Sequence, residues 1–148
     1  MVRAAPGGAR PPFDIIAPAV QTVPLVFASP HSGTEYEPGF VAASRLDQVS
    51  LRRSEDSYVD ELFEAAPAHG APLLRALFPR VYLDSNREPW ELDPGMFEDA
   101  LPDWVNTTSL RVAGGLGTIA RVVTNGAEVY RGKLMFAEAE RRIRTLYI

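Results

Sequence analysis

Apolar residues recur along this 148-residue chain at two spacings, and the spacing separates strand from helix. Short apolar runs bounded by proline or glycine predict strands. Phe13-Asp14-Ile15-Ile16 reads as an edge strand, and Leu25-Val26-Phe27-Ala28 as a buried strand that Pro24 introduces and Ser29 ends. Leu73-Leu74-Arg75-Ala76-Leu77 and Arg80-Val81-Tyr82-Leu83-Asp84, separated by Pro79, give two more, and residues 109–113, 121–124 and 127–130 read as further extended pieces. Helical spacing appears twice. Val59, Leu62, Phe63 and Ala66 fall at i, i+3, i+4 and i+7, predicting a helix over residues 55–66 that Ser54 or Asp56 caps and Pro67 with Gly70 stop. Phe136, Ala139, Ile143 and Leu146 line one side of a final helix, with Glu138, Glu140, Arg141, Arg142 and Arg144 covering the rest. That helix stops with the chain, without a C-cap or a closing strand. A shorter helix is predicted between Val41 and Val49.

Strand, helix, strand in this order predicts a parallel βαβ core and hence the α/β class. Residues 30–39 form the loop after the second strand, and residues 88–103, with three prolines and irregular polarity, a long loop over the strand ends where lids and specificity segments lie. Residues 1–12, built of Ala, Gly, Pro and Arg, are expected to be a disordered tail, leaving 13–148 as one domain or part of one.

Composition narrows the chemistry. With 46% hydrophobic and 23% charged residues the chain can bury a core. A net charge of −4 with dispersed acidic residues argues against nucleic acid as a partner. There is no cysteine, which excludes thiolate metal sites and thiol nucleophiles, so a metal would need histidine and carboxylate ligands. No apolar run approaches a membrane span or a signal-peptide core, so a cytoplasmic location is expected.

Three segments carry candidate chemistry. Ser29-Pro30-His31-Ser32-Gly33 puts one of only two histidines in a turn directly after a strand, where ligands bind in open α/β sheets. A histidine there is either a ligand or a hydrogen-bonded structural residue. Glu55, Asp56 and Asp60 open the predicted helix, either as charges that suit its N-terminus or as a carboxylate that joins His31 on a metal. Asn86 and Arg87 follow a predicted strand, where a guanidinium grips a substrate carboxylate in a bidentate pair or pairs with Asp84 or Glu88. Gly115-Leu116-Gly117-Thr118-Ile119-Ala120 fits a loose dinucleotide fingerprint, but β-rich residues follow where a helix is required, so the glycines read as a turn near the site. His69 reads as a partner of nearby helix-end carbonyls, and Trp90 and Trp104 as loop anchors. Ser32 lacks the elbow motif and second histidine of a serine hydrolase.

In this order, Ser29-Pro30-His31-Ser32-Gly33 with Pro38 and Phe40, Glu55-Asp56 with Val59, Asp60 and Leu62, Arg80-Val81 with Asp84, Asn86 and Arg87, Gly115, Gly117, Thr118, Ile119 and Arg121, and finally Tyr130 with the terminal helix resemble the N-formylglutamate amidohydrolase family, relatives of the zinc carboxypeptidases. The resemblance covers residues 24–148. It implies a zinc carboxypeptidase-like (phosphorylase/hydrolase-like) mixed sheet flanked by helices, incomplete in this chain. It also implies a zinc-dependent hydrolase that removes the formyl group from N-formyl-L-glutamate or a related N-acyl amino acid, a late step in histidine degradation. On it, His31 takes the first metal-histidine position, Asp56 the acidic ligand position with Glu55 as fallback, and Asn86 and Arg87 the pair that binds substrate carboxylate, with Arg121 facing the same pocket. The family's second metal histidine and its catalytic carboxylate, the general base, are expected beyond Ile148, so the chain alone is expected to be inactive. Two other readings remain: a related enzyme with another N-acyl amino acid or short peptide as substrate, and a non-catalytic or truncated relative that binds a carboxylate-bearing small molecule. Oligomeric state is not fixed by the sequence.

Overall fold

A computed structural model of the chain describes residues 11–147, so all but the last two residues of the predicted tail lie outside the described residues. The sheet has three strands, β1 (Phe13–Ile16), β2 (Phe27–Ser29) and β3 (Leu73–Ala76), in the order β1-β3-β2. β1 runs antiparallel to β3 with Phe13 opposite Ala76, and β2 runs parallel to β3 with Phe27 opposite Leu73. The Pro12 carbonyl extends the first ladder by accepting from the Leu77 amide at 2.9 Å. The parallel β2-β3 pair and the helices between them match the predicted βαβ core, and β1 makes the sheet mixed.

The second strand is shorter and less buried than its composition predicts: Leu25 and Val26 are exposed, and only Phe27–Ser29 pair. Among the described residues β2 has a neighbour on one side only, so alternate side chains are not enclosed as they are in a central strand. Two short helices, α1 (Pro38–Ala43) and α2 (Gln48–Leu51), replace the single helix predicted between Val41 and Val49. Pro38 sets the first turn of α1, and Asp47 caps α2 by accepting from the Ser50 amide at 2.7 Å.

The helix predicted over residues 55–66 shrinks to α3 (Val59–Leu62). Its early start is prevented by the loop bearing His31. The Asp56 amide donates to the His31 carbonyl at 3.1 Å, and Ser32 Oγ donates to the Asp56 carbonyl at 2.8 Å, so the loop bearing His31 engages both backbone groups of Asp56. Tyr58 then takes a left-handed conformation (φ 66°) before Val59 begins the turn. Of the predicted apolar face, Ala66 is buried, Leu62 is exposed, and Phe63 packs on Phe27 with ring centroids 5.3 Å apart.

Residues 80–82 form a turn and 83–84 have no regular structure, correcting the strand predicted over 80–84: the Pro79 carbonyl accepts from the amides of Tyr82 and Leu83. Residues 110–113 form helix α4 (Leu110–Ala113), also predicted as strand, because Ser109 caps it through the Val112 amide at 3.1 Å. Residues 121–130 make a tight reversal at Gly126 (φ 78°), with only a bridge between Val122 and Glu128, in place of two predicted strands.

The final helix, α5 (Phe136–Leu146), spans the apolar positions that predict it, with Ala139 and Ile143 buried. Arg142 departs from the pattern, because it is buried rather than on the solvated face. Its guanidinium lies 4.0 Å from the Tyr82 ring centroid and donates to Glu138 Oε1 (2.7 Å), Tyr130 Oη (2.7 Å) and the Tyr82 carbonyl (3.2 Å), so its charge enters the core with a carboxylate partner. Trp90 and Trp104 anchor their loop as expected, meeting edge to face at 4.9 Å and packing on Phe136. The loop is no lid, however: Leu92, Met96 and Phe97 are buried in the core with Leu83, Ile119, Val123 and Val129. Much of the core thus comes from segments without regular secondary structure. Among the described residues no helix is long and apolar enough to cross a membrane.

Candidate functional site

The turn after β2 is held in place before any functional group is considered. Ser29 Oγ and Ser32 Oγ share a hydrogen bond at 2.6 Å. Gly33 passes so close to the chain at Leu77 and Phe78 that a Cβ there would collide with the Phe78 carbonyl oxygen. A glycine at this point lets the loop pack on the end of β3 and fixes the direction of the His31 ring.

His31 is buried between two carboxylates. Nε2 lies 2.8 Å from Asp84 Oδ1 and Nδ1 lies 3.2 Å from Asp56 Oδ2. The Asp84 side chain is only 5% exposed, and it also accepts from the Asn86 amide at 2.9 Å and from Arg80 Nε at 3.0 Å, with Arg87 Nη2 at 3.4 Å. Burial alone would raise its pKa. The hydrogen bond and charge of His31, the Asn86 amide and Arg80 outweigh burial and hold the Asp84 carboxyl below the ordinary carboxylate value.

An ionised Asp84 accepts and cannot donate, so the proton on Nε2 belongs to the histidine. Nδ1 then faces Asp56 Oδ2, and in the neutral ring both of these atoms are electron donors. A proton shared between the two atoms or a metal ion would bridge such a pair. Nitrogen and carboxylate oxygen are ligands that zinc accepts, and a histidine whose far nitrogen is fixed by a carboxylate is the usual arrangement behind a metal ligand. The Asp56 side chain is 49% exposed, which leaves its oxygens reachable from solvent. These residues fit part of a zinc site. Among the described residues no group of three or more histidine or acidic side chains is placed to hold one ion.

Glu55 is not brought to His31. Its side chain is 1% exposed and accepts from Tyr36 Oη at 2.6 Å and Arg52 Nε at 2.9 Å, so its oxygens are already taken. Asn86 does reach the site: its amide serves Asp84, and its side chain is exposed and without a hydrogen bond. Arg87 also lies here, but it is largely buried and committed to Asp84, the Leu116 carbonyl (3.3 Å) and the Asn86 carbonyl (2.8 Å). Arg121 is placed elsewhere, paired with Asp93 at 2.8 Å in a second cavity.

Two residues outside the sequence-based site belong to it. Asp84 orients His31, and Arg80 bridges the carboxylates, with Nε on Asp84 and Nη1 3.9 Å from Asp56 Oδ1. Their i, i+4 spacing just before Asn86-Arg87 was the available signal. Both line a cavity of about 240 Å³ with Ser54, Leu116, Gly117 and Thr124. Gly117 lets that wall close, since a Cβ there would collide with the Glu91 carbonyl oxygen.

A family profile described as N-formylglutamate amidohydrolase matches residues 23–148. The crystal structure of N-formylglutamate amidohydrolase from Ralstonia eutropha JMP134 is similar to this chain at 39% sequence identity with a TM-score of 0.82, covering 92% of this chain and 48% of that one. The present chain therefore spans about half the length of that relative. No curated protein matches it.

Proposed function

The chain belongs to the N-formylglutamate amidohydrolase family, and on that premise we propose that it carries the first part of a zinc amidohydrolase site acting on N-formyl-L-glutamate or a related N-acyl amino acid, with formate and the free amino acid as products. The observation that carries this reading is His31 held between Asp84 on one ring nitrogen and Asp56 on the other. In that role His31 Nδ1 and an Asp56 oxygen hold the metal. When bound, zinc supplies Lewis acidity to an amide carbonyl and lowers the pKa of water.

The chain's own groups do the rest of what this half contributes. Asp84 keeps the proton on Nε2 and leaves the Nδ1 lone pair for ligation. Arg80 supplies positive charge at the rim of the cavity beside Asp84, suited to a substrate carboxylate, and the Asn86 side-chain amide adds a hydrogen bond. Arg87 acts from behind, through Asp84 and the Leu116 carbonyl, unless a substrate draws its fork away from them. No general base is assigned among the described residues.

The test measures metal content and formate release together. The 148-residue chain should bind zinc weakly through His31 and Asp56 and release no formate, because a catalytic zinc usually needs three protein ligands and a positioned base. A chimera joining this chain to the part of the Ralstonia eutropha relative that it does not cover should release formate, and His31→Ala should abolish it. Zinc binding unchanged in both His31→Ala and Asp56→Ala would remove the metal half-site. A chimera that binds zinc but turns over no N-acyl amino acid would favour a carboxylate-binding role.

A further inference from the structure

We propose that the cavity lined by Arg45, Arg121, Arg131 and Lys133 is a second binding site, for a compact dianion such as a phosphate monoester or a short dicarboxylate. It has a volume of about 220 Å³ and shares no lining residue with the cavity beside His31. The neighbouring carboxylates are Glu128, 2.7 Å from Arg45, and Asp93, 2.8 Å from Arg121. Four cations against two carboxylates leave an excess of two positive charges, in a chain whose net charge is −4.

The donors are prepared as well as concentrated. Arg121 is anchored through Nε to Asp93 and Arg131 through Nε to the Ser44 carbonyl at 2.7 Å, so the two terminal nitrogens of each guanidinium remain for another acceptor. Arg45 is held through Nη1 alone. Lys133, the only lysine of the chain, makes no hydrogen bond or ion pair among the described residues. The backbone fixes these side chains relative to one another: Ser44 bridges Tyr130, the Arg45 amide donates to the Val129 carbonyl at 2.9 Å, and the Arg131 amide donates to the Ala43 carbonyl at 3.2 Å. Like charges converging on one concavity repel each other until an anion enters, and paired guanidinium N–H groups match the oxygens of phosphate and carboxylate alike. The site does not depend on the proposed amidohydrolase chemistry.

Lys133 gives the experiment its readout. The chain is acetylated with limiting acetic anhydride at constant ionic strength in chloride, in inorganic phosphate or in glutarate, and labelling at Lys133 and at the α-amine is followed by mass spectrometry. With phosphate or glutarate at about ten times its dissociation constant, Lys133 should react about tenfold more slowly while the α-amine reacts as before. Protection by phosphate alone assigns the phosphate class, and protection by glutarate alone assigns the dicarboxylate class. Arg45→Gln and, separately, Arg121→Gln should weaken that protection with the chain still folded by circular dichroism. Equal labelling in all three salts, or protection that survives in both folded variants, would overturn the proposal.

Discussion

His31 and Asp84 lie 53 positions apart in the chain and meet through a 2.8 Å contact between Nε2 and Oδ1 in the interior. Each fixes the other: the carboxylate decides which ring nitrogen carries the proton, and the ring helps keep the carboxylate ionised although it is buried.

That coupling makes stability depend on acid in a defined direction. The pKa of Asp84 is lowered on folding, so the unfolded chain takes up the proton first as pH falls. Its stabilising contribution is complete above the unfolded carboxyl value of about 4 and is lost as pH drops through the lower folded value. Asp84→Asn should destabilise the protein by about 3 kcal/mol at neutral pH, because Arg80 and Arg87 lose a buried partner. Its urea midpoint should then fall less steeply than that of the wild type below about pH 4. Parallel curves would show that Asp84 does not carry this acid sensitivity.

The alkaline side is set by tyrosines. Tyr36, Tyr82 and Tyr130 are all raised above the ordinary phenol value, by burial first and, for Tyr36 and Tyr82, by hydrogen bonds donated to Glu55 and Glu37. A raised folded pKa contributes stability that is present below the unfolded value of about 10 and is lost as pH rises through the folded one. Phenolate absorbance should therefore lag in the native protein and appear with unfolding. Tyr36→Phe should remove one phenol from the lagging group. If all phenols titrate near pH 10 in the folded chain, this burial is wrong.

Glycine positions differ in what they tolerate. Gly33→Ala and Gly117→Ala each drive a Cβ into a backbone carbonyl and should cost about 1–3 kcal/mol, more if the neighbouring strand shifts. Gly39→Ala and Gly132→Ala meet nothing within 4 Å, so Gly132→Ala should leave stability within about 1 kcal/mol and Gly39→Ala, inside α1, should raise it by about 0.5–1 kcal/mol. Thermal melting of the four variants reads the contrast.

On α5, two arginines that look alike in sequence should behave differently. Arg142→Lys loses the fork that serves Glu138, Tyr130 and the Tyr82 carbonyl from a buried position, and should cost about 3 kcal/mol. Arg144→Lys alters an exposed pair with Glu140 and should stay within about 0.5 kcal/mol. Equal melting shifts would mean that Arg142 is not part of the core.

These arginines also mark how far the sequence could be read. Phe136, Ala139 and Ile143 mark α5 because helical spacing needs only local information, and the β1 and β3 positions follow for the same reason. Arg142 counts as polar in any such pattern. Its burial depends on Tyr82 and Tyr130, which reach it only through the tertiary fold. The helix predicted over residues 55–66 failed through a similar long-range effect, since the His31 loop captures the Asp56 backbone. In the candidate site, residue type and position led to the expectation that His31 and Asp56 meet, and they do so at 3.2 Å. The place of Asp84 on the second ring nitrogen was not legible, because nothing local links residues so far apart. Arg121 was misplaced because its neighbour Val122 lines the cavity by the site while Arg121 itself points into the other.

The Asp84 amide donates to the Thr118 carbonyl at 2.8 Å, and this gives the site a birth order. A chain made from its N-terminus at about 5–20 residues per second delivers the His31 turn on the order of ten seconds before Thr118 follows. Asp84 emerges within that interval, and for the rest of it the Asp84 amide has no Thr118 carbonyl to donate to. Those seconds on the ribosome are when the half-built site around His31 and Asp84 is most open to capture by another chain, and when a holdase chaperone has the most to shield.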